Sequence, residues 1–344
     1  MAERAGGRAV LVLHMLALGE AVFALPLLHA LRAGGWRTVC VTRSDTAAIL
    51  EASGLADEVI LRDGGSGAGG AGRLVRQLRR ARPAVSLGLA TSAGNAVLAW
   101  VSGARQRIGY DYAHAPGLLT ERIPFNGGGI ENYLELLPHV PAARTVESYV
   151  GLLRVPAEAQ AEADRLLAEA GIAGRFVALS PLSTGKHGVK AYPPEQWRAV
   201  CDRLREGGIS LVLVGSAADA EAHAALLAGS NGPAVSLAGR TPTLVLAGVL
   251  ARAACVVGID TGPIHVAAAL GTPCVVLFGS SDPARTAPSG EGHTVLYRGL
   301  DCQPCLAAPC TRAGECLREI SVEEIVEAVE RTLPRRAQTD GGPP

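Results

Sequence analysis

The chain of 344 residues carries 32 basic and 32 acidic side chains, so its formal net charge is zero, with 48% apolar and 19% charged residues. That apolar content suffices for two hydrophobic cores and excludes global disorder, and the length exceeds the usual single-domain range. Without the overall basic surplus of a nucleic-acid binder, no nucleic-acid partner is expected.

Taken in chain order, the first apolar stretch, Ala9 to Leu13, is too short for a signal-peptide core and stops at His14. Gly19, Glu20, Pro26 and His29 interrupt the next one, and no run reaches the roughly 18 apolar residues a membrane span needs. The expectation is a soluble, cytoplasmic protein with at most peripheral membrane contact. Strands are predicted at Ala9–His14, Arg37–Arg43, Glu58–Arg62, Ala84–Ala90 and Gln106–Tyr110. Helical segments alternate with them at Ala21–Ala33, Thr46–Ser53, Arg73–Arg80 and Ser92–Val101. Such alternation argues for an α/β fold with a parallel sheet and crossover helices. Asp63–Gly72 reads as a flexible surface loop, not a phosphate-binding turn, because no strand-to-helix turn frames its glycines.

An Ala-rich charged helix, Pro156–Ala170, opens a second series of strands at Phe176–Ser180, Ser210–Gly215, Cys255–Asp260 and Cys274–Gly279. A closing helix, Ser321–Leu333, begins with the capping-box spacing Ser321/Glu324. The predicted domains are 1–155 and 156–334, followed by a disordered tail, 335–344.

In open parallel sheets ligands collect beyond the carboxyl ends of the strands. The segments found there are "LALGE", "SPLSTGKHGVKAYPP", "GSAADAE", "DTGPIH" and "GSSDPART". In "DTGPIHVAAAL", Pro263 suits a first helical turn, Thr261 or Gly262 its cap, and the free amides there form a seat for a phosphate. Asp260 and His265 flank that turn, and Ser280 follows the next strand. Ser183, Thr184, Lys186 and Lys190 supply hydroxyls and cations for a diphosphate; the competing reading of the lysines is a solvated loop. Asp219 is an acid placed to hold a ribose, or one that merely favours a helix dipole. Glu20, at the junction after the first strand, is either a base facing the crevice or another first-turn acid.

Of the eight cysteines, Cys40, Cys201, Cys255 and Cys274 read as buried thiols. Cys302, Cys305, Cys310 and Cys316 form a Cys-x2-Cys-x4-Cys-x5-Cys array, which reads as a structural zinc or iron site, a redox pair at Cys302–Cys305, or free thiols.

"LALGEAVFALPLLHALR", "KAYPPEQW", "LAGRTPTLVLAGVLARAACVVGIDTGPIHVAAALGTPCVVLFGSSDPART" and "CQPC" resemble glycosyltransferase family 9, the ADP-heptose heptosyltransferases, over about residues 9–333. The resemblance implies a GT-B fold: two Rossmann-like domains with parallel sheets facing a central cleft, the acceptor on the first and an ADP-sugar donor on the second. It implies an inverting reaction without a catalytic cofactor. It puts Glu20 where the family has an aspartate base, Lys190 at the donor phosphates, and Asp219 near the ribose-binding acid. Asp260, Thr261, Gly262 and His265 match the donor motif, with Ser183, Thr184 and Ser280 beside it. The acceptor is a lipopolysaccharide-core glycolipid or a small molecule; relatives of the first kind bind acidic substrates, yet the loops of the first half are poor in basic residues. A nucleotide-sugar epimerase and a non-catalytic nucleotide-sugar-binding protein are the alternatives on the same scaffold.

Overall fold

The five residues AVLVL form β1 (Ala9–Leu13), buried on both faces as an inner strand of a parallel sheet must be. The first half continues through α1 (Leu18–Phe23), α2 (Leu25–Ala33), β2 (Arg37–Thr42), α3 (Ser44–Ala52), β3 (Glu58–Leu61) and α4 (Ala68–Arg80). Then come β4 (Pro83–Gly88), α5 (Ala93–Val101), β5 (Gln106–Tyr110), β6 (Glu121–Ile123) and α6 (Ile130–Leu134). The second half comprises α7 (Ala157–Glu169), β7 (Phe176–Ser180), α8 (Pro194–Glu206), β8 (Ser210–Leu213), α9 (Ala220–Leu227), β9 (Ala234–Ser236) and α10 (Thr243–Arg252). It ends with β10 (Cys255–Ile259), α11 (Gly262–Ala269), β11 (Cys274–Phe278), α12 (Pro283–Thr286), β12 (Thr294–Tyr297), α13 (Glu315–Arg318) and α14 (Val322–Thr332). The computed structural model describes residues 8–14, 16–62, 68–111, 116–141, 146–182, 191–228, 233–305 and 310–333.

Two six-stranded sheets result, ordered β3-β2-β1-β4-β5-β6 and β12-β11-β10-β7-β8-β9, with every pairing parallel. Numbered from its own first strand, each half has the doubly wound order 3-2-1-4-5-6. The order reverses between β1 and β4 in one sheet and between β7 and β10 in the other. These switch points are where such sheets open a crevice for ligands.

Alternating strand residues divide the core. Val10 and Val12 of β1, with Phe176 and Ala178 of β7, belong to one apolar cluster that also takes in α1, α2, α10 and α11. The opposite faces are closed separately: Leu11 and Leu13 lie over α4 and α5, and Val177 and Leu179 over α8 and α14. The central cluster therefore runs from one half into the other, and Thr243 on α10 adds a hydrogen bond to the Asp45 carbonyl on α3 at 3.2 Å.

Three expectations are corrected here. The helix expected over Ala21–Ala33 starts earlier and divides at Ala24, because Pro26, in the first turn of α2, has no N–H to continue the ladder. The loop expected over Asp63–Gly72 is helical from Ala68 onward, where Leu74 and Leu78 pack one face of α4 onto the sheet. Residues 63–67 lie outside the described residues. Three of the four edge strands, β6, β9 and β12, were missed; they are three, three and four residues long, and none is continuously buried.

Candidate active site

At the end of β10 the backbone turns through Asp260 and Thr261 into α11. Thr261 is the N-cap in extended conformation, and no side chain caps the helix. Its hydroxyl instead donates to the Ile259 carbonyl at 3.1 Å, so the first turn of α11 keeps the anion-binding character of an open N-terminus.

Asp260 is buried and fully engaged. Its Oδ1 lies 3.1 Å from His265 Nε2, and its Oδ2 accepts from Ser281 Oγ at 2.5 Å. The other ring nitrogen of His265 lies 3.4 Å from the Tyr149 hydroxyl, which accepts from the Ser289 amide at 3.0 Å. Phe23 packs against the imidazole, ring centroids 4.5 Å apart and planes tilted by 59°. His265, one turn into α11, is thus a strut that holds Asp260 and ties the 281–289 segment to the first half. Of the residues expected at the donor, Asp260, Thr261, Gly262 and His265 are brought together, with Ser280 next to them. Ser280 is 2% exposed, and its hydroxyl has no hydrogen-bond partner among the described residues.

The two halves meet where α1 and α11 begin. A methyl group added to Gly262 would lie 2.9 Å from Leu18 Cβ, and one added to Gly19 would lie 2.9 Å from His265 Cδ2. Only glycine permits that approach, and it places Glu20, in the first turn of α1, beside the N-terminus of α11. The Glu20 carboxylate accepts a hydrogen bond from Tyr133 of α6 at Oε2, and Gly128 borders Oε1. Gly129 has φ +91°, and a Cβ there would fall 2.1 Å from the Arg285 carbonyl, so the 127–129 segment closes on α12 only as glycine.

Asp219 stands apart from this group. Its Oδ2 accepts from the Ser216 amide at 2.7 Å and the Ser216 hydroxyl at 2.8 Å, closing the short turn after β8. Ser183, Thr184, Lys186 and Lys190 lie outside the described residues. Sequence reasoning gave no role to Tyr133, on the short helix α6, or to Tyr149, in the segment before α7; neither has a motif around it.

The four-cysteine array is not assembled as a metal site among the described residues. Among the described residues no group of three or more His, Cys, Asp or Glu side chains is arranged to hold a metal, and Cys302, Cys305, Cys310 and Cys316 are all free. Cys316 is buried in the core of the second half, while the Cys310 sulfur accepts from the Gly314 amide at 3.3 Å. The segment has a visible role as a buttress: the Cys305 amide donates to the Ser280 carbonyl at 3.0 Å, and Gln303 donates to the Gly279 carbonyl at 2.5 Å. The dispersed cysteines behave as read, with burial pushing the thiols of Cys40, Cys201 and Cys255 up to about 12.

Two doubly wound sheets in one chain, with the halves meeting through α1 and α11 and through α3 and α10, make the scaffold of a GT-B glycosyltransferase. The family model "Glycosyltransferase family 9 (heptosyltransferase)" matches residues 71–314, and the chain belongs to that family. It is 40% identical to the lipopolysaccharide heptosyltransferase 1 of Pseudomonas aeruginosa over 36% of this chain and 34% of that one. To the lipopolysaccharide heptosyltransferase 3 of Escherichia coli it is 26% identical over 70% of this chain and 72% of that protein. The match thus spans about a third of the first relative's length and nearly three quarters of the second's. Among solved structures, the E. coli ADP-heptose lps heptosyltransferase II superposes with a TM-score of 0.76 at 21% identity, over 94% of this chain and 98% of that one. Among the described residues no helix is long and apolar enough to cross a membrane.

Proposed function

We propose that the protein transfers a heptose from ADP-heptose to a hydroxyl of a lipopolysaccharide-core glycolipid, inverting the anomeric carbon. Residues 1–155 would hold the acceptor and 156–334 the nucleotide sugar. The observation that carries this reading is the close approach of α1 and α11, which sets the Glu20 carboxylate beside an uncapped helix N-terminus. One side of that junction suits a base, the other an anionic leaving group. The printed names of the relatives support the donor and the acceptor class.

In this mechanism Glu20 takes the acceptor hydroxyl's proton as the new bond to the anomeric carbon forms and ADP departs from the opposite face. Tyr133, donating to Oε2, fixes the carboxylate. The open turn at Thr261–Gly262 meets the charge that grows on the diphosphate, and the family resemblance assigns Lys190 to the same phosphates. The chemistry so described asks for no cofactor.

The test is transfer assayed with ADP-heptose and a lipopolysaccharide-core acceptor, on wild type, Glu20→Gln and Tyr133→Phe. Glu20→Gln is expected to lower kcat by about 10²–10⁴ with the donor KM nearly unchanged. Tyr133→Phe removes a donor to the carboxylate, so the acidic limb of the pH–rate profile moves to higher pH. A wild-type rate in Glu20→Gln would sink the base assignment. Turnover of the donor without acceptor, or a preference for UDP-sugars, would overturn the transfer reading.

A further inference from the structure

The first half carries its charge unevenly. Between Asp63 and Asp111 the sequence contains no acidic residue and seven arginines, five of them within Arg73–Arg82, although the whole chain is neutral. The fold gathers these five on one surface. α4 buries Leu78 and half-buries Leu74 against the sheet, while Arg73, Arg76, Arg79 and Arg80 are exposed along it and Arg82 follows at its end. Arg76, Arg80 and Arg82 form no ion pair among the described residues. Beside them, Leu61 and Arg62 of the edge strand and the loop after it join α4 in lining an open groove of about 530 Å³.

α5 lies next to α4 on the same face of the sheet, and Arg79 Nε donates to the Val101 carbonyl at its C-terminal end at 3.0 Å. It turns Val97 and Trp100 outward, 44% and 57% exposed, and Leu61 is 44% exposed. Trp36 and Trp197 are buried. Arg76, Arg80 and Arg82, without an ion pair among the described residues, share with an outward tryptophan and aliphatic side chains a surface that is both basic and amphipathic.

We propose that this face, α4 with the outer side of α5 and the Leu61–Arg62 edge, docks the protein on an anionic lipid bilayer. The arginines would contact headgroup phosphates, and Trp100 and Val97 would enter the interfacial layer where an indole is favoured. Exposed aliphatic groups beside the arginines suit a lipid interface; a nucleic-acid backbone gives Val97 and Leu61 nothing to bury against. One basic patch with a few interfacial side chains gives reversible, peripheral attachment. The proposal does not depend on the donor or the acceptor assigned above.

The full chain is tested by co-sedimentation with phosphatidylcholine vesicles, with and without phosphatidylglycerol, and by tryptophan fluorescence. Binding is expected only with the anionic lipid and should weaken as salt rises. Arg76→Gln combined with Arg80→Gln should weaken it about 25-fold, about fivefold per arginine. Melting temperature and ADP binding, both remote from these side chains, should stay as in wild type. Anionic vesicles should shift the emission to the blue, and Trp100→Phe should remove the shift. Equal binding to neutral vesicles, no binding, unchanged binding by the double variant, or tighter binding to a DNA duplex than to vesicles at equal salt would each overturn the proposal.

Discussion

Asp260 shows how much a buried carboxylate can hold when both of its oxygens are engaged. It joins Ser281 to His265, and through His265 to Tyr149. Replacing it with alanine leaves buried donors without an acceptor, each at about 1–3 kcal/mol. Asp260→Ala is therefore expected to lower the unfolding free energy by about 3 kcal/mol, measured by urea denaturation. His14 makes a second prediction. Burial lowers its pKa from 6.5 to about 4, so the folded state prefers the neutral ring. Its folded pKa lies below the unfolded one, so this contribution is complete above pH 6.5 and is lost as pH falls towards 4, about 3 kcal/mol in all. Unfolding curves should show that slope in wild type and lose it in His14→Gln. Asp260 and His265 were legible because they sit five residues apart on one turn. Their partner Tyr149, 116 residues from His265, and Tyr133, 113 from Glu20, were not, since only chain folding makes them neighbours.

Among elements, the inner strands and the closing helix were the most legible. β7 and β5 span the expected residues: β7, FVALS, is buried throughout and so demands an apolar run, while β5, QRIGY, is buried only over its last three residues. The capping box of α14 forms as the spacing required, with the Glu324 amide donating to the Ser321 hydroxyl and the Ser321 amide to the Glu324 carboxylate. Ser321→Ala should destabilise the protein by about 1 kcal/mol in thermal or urea unfolding. Gly129→Ala is the more damaging change. It combines a left-handed φ of +91° with a Cβ 2.1 Å from the Arg285 carbonyl, so α6 must move and carry Tyr133 away from Glu20. A fall in kcat larger than that of Tyr133→Phe is expected, and equal transfer rates in Gly129→Ala and wild type would refute the coupling.

For the whole molecule, the central apolar cluster makes the junction of the halves part of the core, so ligand binding at the junction is felt as stability. ADP at about a hundred times its dissociation constant should raise the unfolding free energy by about 2.7 kcal/mol, and UDP at the same concentration by less. Thermal shift with the two nucleotides reads this directly. The sequence by itself determined the α/β class, the strands of both sheets except β6, β9 and β12, and the turn from Asp260 to His265. Those features are written in local patterns of burial, capping and turn chemistry, which a few neighbouring residues specify. Tertiary structure alone decided that α1 meets α11 through Gly19 and Gly262 and that Tyr133 holds Glu20. It also decided that the arginines of α4 share one face with Trp100. Each of these depends on distances between segments remote in sequence, which the packing of two sheets sets and no local pattern encodes.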